Sequence, residues 1–168
     1  DNQEIDSHKK HKGKVGCTAC HTSNVVGCVN CHFDSFLATG KKEGNFIMVN
    51  DWVILMNYEN KVVSGNAITL VSGGKTFVAY APFFSHSMKK EAKKCEDCHG
   101  NAAMAKIKAG EKIPMLKMEG DRIVSWKGIV PLLPDSLEWQ FFNKDGEKWV
   151  PVPNAPAPKV QLVGYGTP

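Results

Sequence analysis

The sequence has no long hydrophobic run. Its longest apolar stretch, Phe46 to Met56, is interrupted by Asn50 and Asp51, whereas a membrane-spanning helix needs about 20 consecutive apolar residues. We therefore predict no membrane span. The composition also lacks the bias of a disordered, collagen-like or coiled-coil chain, because 42% of the residues are hydrophobic and 23% are charged. What remains is a folded chain of 168 residues, long enough for one domain or two small ones.

No cysteine lies outside one repeated pattern, in which two cysteines are separated by two residues and followed at once by histidine. The pattern reads CTACH at residues 17–21, CVNCH at 28–32 and CEDCH at 95–99. Its members are Cys17, Cys20 and His21, then Cys28, Cys31 and His32, then Cys95, Cys98 and His99. C-x-x-C-H is the attachment signature of c-type haem. Two thiols three positions apart can form thioethers with the porphyrin vinyl groups, and the adjacent histidine then supplies an axial nitrogen to the iron.

Two other uses of paired cysteines fit this spacing less well. Zinc ribbons place roughly 12–20 residues between their cysteine pairs, whereas residues 21–27 alone separate the first two cysteine pairs, and the third pair would have no partner. Disulfides would leave the histidine after every pair unexplained. The sequence therefore predicts three haem c groups.

Three histidines lie outside the motifs, one for each predicted haem: His8, His11 and His86. Two imidazoles on one iron leave no vacant position, so bis-histidine ligation of all three haems is the simplest expectation. His8 and His11 stand three residues apart and, on a helical turn, could serve two neighbouring haems. The sequence leaves open which iron each histidine serves, and whether a neighbouring copy of the chain donates a ligand.

Each of these three histidines also has a simpler interpretation, as a surface residue that titrates near pH 6.5. The six methionines are alternative iron ligands, because a thioether sulfur also binds haem iron. Their positions in apolar stretches favour core packing instead.

The motifs and the surrounding histidines resemble those of multihaem c-type cytochromes, and the H-x-x-H word at residues 8–11 is similar to one that precedes the first haem motif of class III cytochromes. The resemblance implies closely spaced haems and electron transfer without catalysis. It also implies haem attachment outside the bacterial or archaeal cytoplasmic membrane, and hence a periplasmic, cell-surface or extracellular protein. Because the sequence opens at Asp1 without methionine, we expect an export signal to have been removed.

The amino-acid composition changes at three points along the chain. We expect the resulting four segments to form one integrated α+β domain. Residues 1–43 carry the first two motifs on loops and short helices. Residues 44–84 are rich in β-branched side chains and predict antiparallel β structure. Residues 85–110 predict helix around the third motif, and residues 111–168 predict β-hairpins followed by a proline-rich, extended tail.

Local signals predict individual elements within these segments. A helix is expected from Ser85 to His99, and a second from Asn101 to Ala109 before Gly110. The glycine-rich turn at residues 72–75 predicts one hairpin. A second hairpin is expected to pair Leu137–Phe142 with Lys148–Val152 around Asp145-Gly146.

The formal charge of +4 does not predict nucleic-acid binding, because each ferric haem adds a net charge of about −1 through its propionates. The lysines cluster before the first and third motifs, at Lys9, Lys10, Lys12, Lys14, Lys89, Lys90, Lys93 and Lys94. A solvated surface is the simplest interpretation of these clusters. The alternative is a patch that steers an acidic redox partner towards a haem edge.

An electron carrier, not an enzyme, is the function that these features favour. The chain devotes more residues to β structure than haem binding requires. This surplus favours a subunit that polymerises with other copies of itself into an extracellular cytochrome filament. A discrete soluble shuttle is the alternative. A small multihaem reductase would need an iron with an open position, and six histidines for three irons leave none vacant.

Overall fold

The computed structural model describes residues 6–41 and 46–162. Helices α1 to α5 span Asp6–His11, Cys17–His21, Phe33–Thr39, Cys95–His99 and Ala102–Lys108, and a single 3-10 turn spans Pro134–Ser136. Strands β1 to β13 span Gly27–Val29, Cys31–His32, Ile47–Val49, Trp52–Tyr58, Lys61–Ser72, Lys75–Pro82, Ile113–Glu119, Arg122–Ser125, Gly128–Pro131, Leu137–Trp139, Phe142–Asp145, Lys148–Pro151 and Lys159–Leu162. The α+β class is confirmed. The arrangement of loops and helices around three haems stays a prediction. The predicted segment boundary at residues 43 and 44 lies outside the described residues.

The largest sheet is built around the long strand β5 and has the strand order β13-β6-β5-β4-β9. The β5–β6 hairpin is antiparallel from Gly65↔Pro82 to Ser72↔Lys75, as predicted. Its turn requires positive φ at Gly73 and Gly74, which glycine adopts without a steric penalty. The same strand β5 also pairs with β4, through a turn at residues 59 and 60.

The β4–β5 and β5–β6 pairings are antiparallel, as predicted, but three other strand pairs of this sheet are not. β9 pairs with β4, β13 with β6 and β2 with β5, and all three pairings are parallel. Parallel neighbours need long connections, so short turn signals in the sequence cannot reveal them. Through these pairings, residues from both ends of the chain join the central sheet.

A three-stranded sheet with the order β10-β7-β8, the separate β11–β12 hairpin and the antiparallel β1–β3 pair form the rest of the β structure in the described part of the chain. The hairpin around residues 145 and 146 exists, but its first strand begins at Phe142. Residues 137–139, predicted to belong to it, instead pair in parallel with β7, with a register shift between Glu138 and Trp139. That shift ends the strand, so the second half of the predicted element turns away to a different partner.

The predicted helix from Ser85 to His99 is wrong except for its last turn, α4. Residues before α4 run alongside the first motif and exchange backbone hydrogen bonds with it. Lys89 N–H donates to the His21 carbonyl at 2.9 Å, and Lys93 N–H donates to the Cys20 carbonyl at 3.0 Å. These backbone groups therefore have partners across the chain and do not need a helix. The second predicted helix is confirmed as α5, with the Asn101 side chain capping its start.

The buried core lies between the two larger sheets. Trp52, Tyr80 and Phe142 are among its largest fully buried side chains, and Trp139 N–H donates to the Tyr80 hydroxyl oxygen at 2.8 Å. Met56 and Met115 are buried here, as expected of core methionines. Met48 and Met88 break that expectation, because they are 66% and 45% exposed. No helix among the described residues is long and apolar enough to span a bilayer.

Candidate functional site

The first and third motifs fold as single helical turns. α2 contains Cys17, Cys20 and His21, and α4 contains Cys95, Cys98 and His99. One turn of helix places its two cysteines, three positions apart, on the same side, and the histidine ends the turn. None of the six cysteines forms a disulfide. Each of these two motifs therefore presents a dithiol and an imidazole together.

The two helical motifs line one cavity of about 940 Å³. Its wall includes all four cysteines and both histidines of α2 and α4, together with His8 and His11 from α1. Burial raises the pKa of the Cys20 and Cys98 thiols, and the charge of Cys20 raises the pKa of Cys98 further. Cys20 and Cys98 thus line the same cavity, although they are 78 positions apart in the sequence.

The histidines around this cavity form two facing pairs. The ring centroids of His8 and His21 lie 6.4 Å apart, and those of His11 and His99 lie 6.3 Å apart. Two imidazoles that bind one metal ion from opposite sides, each nitrogen about 2 Å from the ion, place their centroids about 6 Å apart. The spacing of both pairs therefore fits a metal ion between the rings, as the axial ligation of a haem requires.

Backbone carbonyls orient one ring of each pair. His21 Nδ1–H donates to the Lys89 carbonyl at 2.9 Å, and His11 Nδ1–H donates to the Ser7 carbonyl at 2.7 Å. A carbonyl oxygen only accepts, so Nδ1 carries the proton and the Nε2 lone pair remains for a metal. Such second hydrogen bonds fix the orientation of metal-bound histidines and raise their basicity. The residues present therefore fit two bis-histidine haems.

Lys93 links the irregular segment before α4 to the residue that follows the first motif. Its ammonium donates to the carbonyl of the buried Thr22, and burial lowers the pKa of Lys93. Lys93 and the exposed Lys9, Lys12, Lys61 and Lys94 line the same cavity. Four of the eight clustered lysines therefore line the cavity that the two motifs share.

The second motif has a different conformation. Cys28 lies in β1 and is exposed, whereas Cys31 and His32 form β2. The prediction of loops or short helices is therefore wrong for this motif. Its conformation depends on Asn30, which is fully buried with φ of +59°. The Asn30 side chain donates to the Phe142 carbonyl and accepts from the Phe142 N–H, both at 2.8 Å.

His32 is turned towards the protein in this conformation, because its Nε2 lies 2.6 Å from the Phe142 carbonyl oxygen and donates to it. Binding an iron through Nε2 requires this ring to rotate away. The fit to a haem at the second motif therefore depends on the two cysteines and on that rotation.

His86 is exposed and does not join His32. Its neighbours Ser85 and Ser87 both donate their hydroxyls to the Asn24 carbonyl, beside the end of the first motif. All six histidines lie within the described residues, and the two ring pairs already named use four of them. The structure thus brings together eight of the twelve predicted site residues around one cavity, and leaves Cys28, Cys31, His32 and His86 apart from it.

The carbonyls of Ser7 and Lys89 and the side chain of Asn30 were not foreseen. A backbone acceptor leaves no signal in residue identity, since every residue carries one. Asn30 carries a weak signal, because asparagine adopts positive φ more readily than most residues.

A zinc site would need about four converging ligands. Within residues 6–41 and 46–162, no three His, Cys, Asp or Glu side chains group together in that way. No protein-family model matches the chain, and neither a curated protein nor a solved structure is significantly similar to it.

Proposed function

We propose that this protein transfers electrons through three covalently attached c-type haems. The observation that carries the proposal is the double pairing of histidines across one cavity, each pair beside its own C-x-x-C dithiol. The first haem would be held by Cys17, Cys20, His21 and His8, the third by Cys95, Cys98, His99 and His11, and the second by Cys28, Cys31 and His32.

Haem c supplies a one-electron couple when it is bound. The chain would supply two imidazoles to each of the irons at the first and third motifs, and such ligation would leave no position for a substrate. The carbonyls of Lys89 and Ser7 hold the rings of His21 and His11 in place, so the ligand set is fixed before an electron arrives. An arrangement of this kind favours electron exchange over catalysis.

The shared cavity supports direct exchange between the first and third sites. Cys20 and Cys98 both line it, as do the histidines of both helical motifs. Groups bound at the two sites would therefore share one cavity, which favours electron transfer between them. The lysines around the cavity would steer an acidic partner, in the manner of other charged clefts.

Attachment of haem c outside the cytoplasmic membrane would make this an extracytoplasmic protein, and we favour a cell-surface or extracellular filament of repeated copies. Exposed apolar side chains support association. Val26, Met48 and Ile68 lie exposed around the second motif, where Met48 is the cross-strand partner of Cys28. A discrete soluble shuttle is the alternative, and electron microscopy of the native material separates the two.

The test is the intact mass of the protein made in a host that attaches haem c. The wild type should carry three haems. The double variants Cys17→Ser/Cys20→Ser, Cys28→Ser/Cys31→Ser and Cys95→Ser/Cys98→Ser should each carry two. A wild-type chain with six alkylatable thiols and no haem overturns the proposal.

A further inference from the structure

We infer that the positive charge of Lys93 raises the reduction potentials of the first and third sites together, and so favours the reduced state of both. The inference rests on the proposed function and adds a residue that regulates the two sites of the shared cavity. It follows from three features of Lys93: the hydrogen bonds that fix it, the groups with which its charge interacts, and its burial.

Two hydrogen bonds fix Lys93 beside the first motif. Its backbone N–H donates to the Cys20 carbonyl at 3.0 Å, and its ammonium donates to the Thr22 carbonyl. These two acceptors belong to the residues on either side of His21. Lys93 also precedes Cys95, the first cysteine of the third motif, by two residues. The ammonium is therefore bound to the end of one motif, while the backbone that carries it leads directly into the other.

The charge of Lys93 acts at both attachment sites. Burial raises the pKa of the Cys20 and Cys98 thiols, and the charge of Lys93 opposes that rise at each of them. The effect is reciprocal, because burial lowers the pKa of Lys93 and the charges of Cys98 and Cys20 oppose this. Lys93 lines the shared cavity together with both cysteines. Once the two sulfurs are thioethers they carry no charge, and the ammonium then acts on the groups bound beside them.

Burial distinguishes Lys93 from the other clustered lysines. It is partly buried, whereas the other seven lysines of the two clusters are exposed. Neither ion pair in the described part of the chain involves it. The charges of Asp97 and Lys89 act on it in opposite directions, and the Asp97 carboxylate accepts a hydrogen bond from Lys94 N–H. Salt screens exposed charges far more than partly buried ones, so Lys93 should have a larger effect on the cavity than an exposed lysine.

The sign of the effect follows from electrostatics. Each site becomes one unit more negative when it accepts one electron. A fixed positive charge nearby therefore stabilises the reduced form more than the oxidised form, and raises the reduction potential. Because one ammonium acts at both sites, it shifts both potentials in the same direction. Lys93 is in this sense a positioning and charge-supplying residue, and binds neither iron.

The experiment compares the reduction potentials of four holoproteins. Lys93→Gln removes the charge and keeps a side-chain N–H donor, whereas Lys93→Arg keeps both. Lys90→Gln removes one charge from an exposed residue of the same segment and is the matched control. Titration with dithionite, followed by the absorption spectrum, resolves the one-electron steps at low and at high salt. Lys93→Met, which keeps the aliphatic part of the side chain, provides a second charge-free variant.

Lys93→Gln and Lys93→Met should move two steps to lower potential at both salt concentrations. Lys93→Arg should stay close to the wild type, and Lys90→Gln should give a smaller shift that disappears at high salt. The inference is overturned if the charge-free variants leave every step unchanged or move one step alone. It is also overturned if Lys93→Arg lowers the potentials as much as Lys93→Gln, because packing and not charge then sets them.

The haem count separates failure of this inference from failure of the proposed function. Each variant should carry three haems by intact mass, because Lys93 forms no bond to the attached groups. Unchanged potentials with three haems overturn the role of Lys93 and leave electron transfer standing. A wild-type chain without haem shows no such steps at all, and overturns the proposed function itself.

Discussion

The ring of His11 lies parallel to the ring of His99, with 10° between their planes and 6.3 Å between their centroids. Three residues earlier, His8 faces His21 at an angle of 67°. The single short helix α1 therefore supplies one imidazole to each of two motifs that are far apart in sequence. α1 has no buried residues.

Removing either histidine of α1 should leave the iron of one specific haem with a vacant coordination position. His8→Ala should make the first haem bind carbon monoxide and His11→Ala the third, one per chain in each case, because the opposite ring alone remains on the iron. Lys10→Ala, exposed on the same helix, is the control and should bind none. The reduced spectrum before and after carbon monoxide addition measures this. Equal binding by all three variants would contradict the pairing.

The two ring angles predict two kinds of low-spin ferric iron. The splitting of the iron d orbitals depends on the angle between the axial imidazole planes. The parallel His11–His99 pair should give a rhombic electron paramagnetic resonance signal, and the crossed His8–His21 pair a far more anisotropic one. Spectra of oxidised His11→Ala and His8→Ala should each lose one of these signals. Loss of the same signal from both variants would show that the assignment is wrong.

Asn30 should be one of the most sensitive positions for folding. Asn30→Ala removes two buried hydrogen bonds to the Phe142 backbone and leaves alanine at positive φ, at a cost of about 3 kcal/mol in the free energy of unfolding. Asn154→Ala, exposed and also at positive φ, isolates the backbone part of that cost, about 1 kcal/mol. Denaturant titration of the holoproteins measures both values. Similar losses in the two variants would exclude an anchoring role for Asn30.

Stability should fall at high pH because of Tyr80. Burial raises the pKa of Tyr80 to about 12, although the hydrogen bond from Trp139 opposes this rise. The unfolded chain ionises near pH 10, and so the folded state loses roughly 2–3 kcal/mol relative to it between about pH 10 and pH 12. Below pH 10 the residue is neutral in both states and contributes no pH dependence.

Tyr80→Phe should remove this alkaline loss, at the expense of about 1 kcal/mol at neutral pH for the hydrogen bond from Trp139. Tyr58→Phe is the control and should keep the loss that Tyr80 causes. Denaturant midpoints at pH 8, 10 and 11.5 follow the effect. An unchanged alkaline loss in Tyr80→Phe would assign it to other groups.

The sequence predicts the attachment residues but not how the histidines pair. C-x-x-C-H is a local sequence motif, and its attachment chemistry does not depend on the rest of the chain. Which imidazole faces His21 depends on α1 and on the Lys89 carbonyl, 68 residues away. Those relationships arise from tertiary contacts and leave no local pattern.

In the fold, too, local features could be predicted from the sequence and long-range contacts could not. The hairpins at residues 72–75 and around Asp145-Gly146 follow from turn chemistry and are present. The parallel pairings of β2, β9 and β13, and the extended path of residues 86–93, depend on partners elsewhere in the chain. Residues 88–94 have helical propensity, but they do not form a helix because their backbone forms hydrogen bonds with the first motif.

The most direct test of the central claim is a coulometric redox titration of the natively produced protein, followed by its absorption spectrum. The account predicts that three electrons enter each chain, all accompanied by haem absorption changes, and that they leave again fully on reoxidation. A protein that takes up no electrons, or takes up two per C-x-x-C pair without a haem spectrum, would instead be a dithiol protein and would contradict the account.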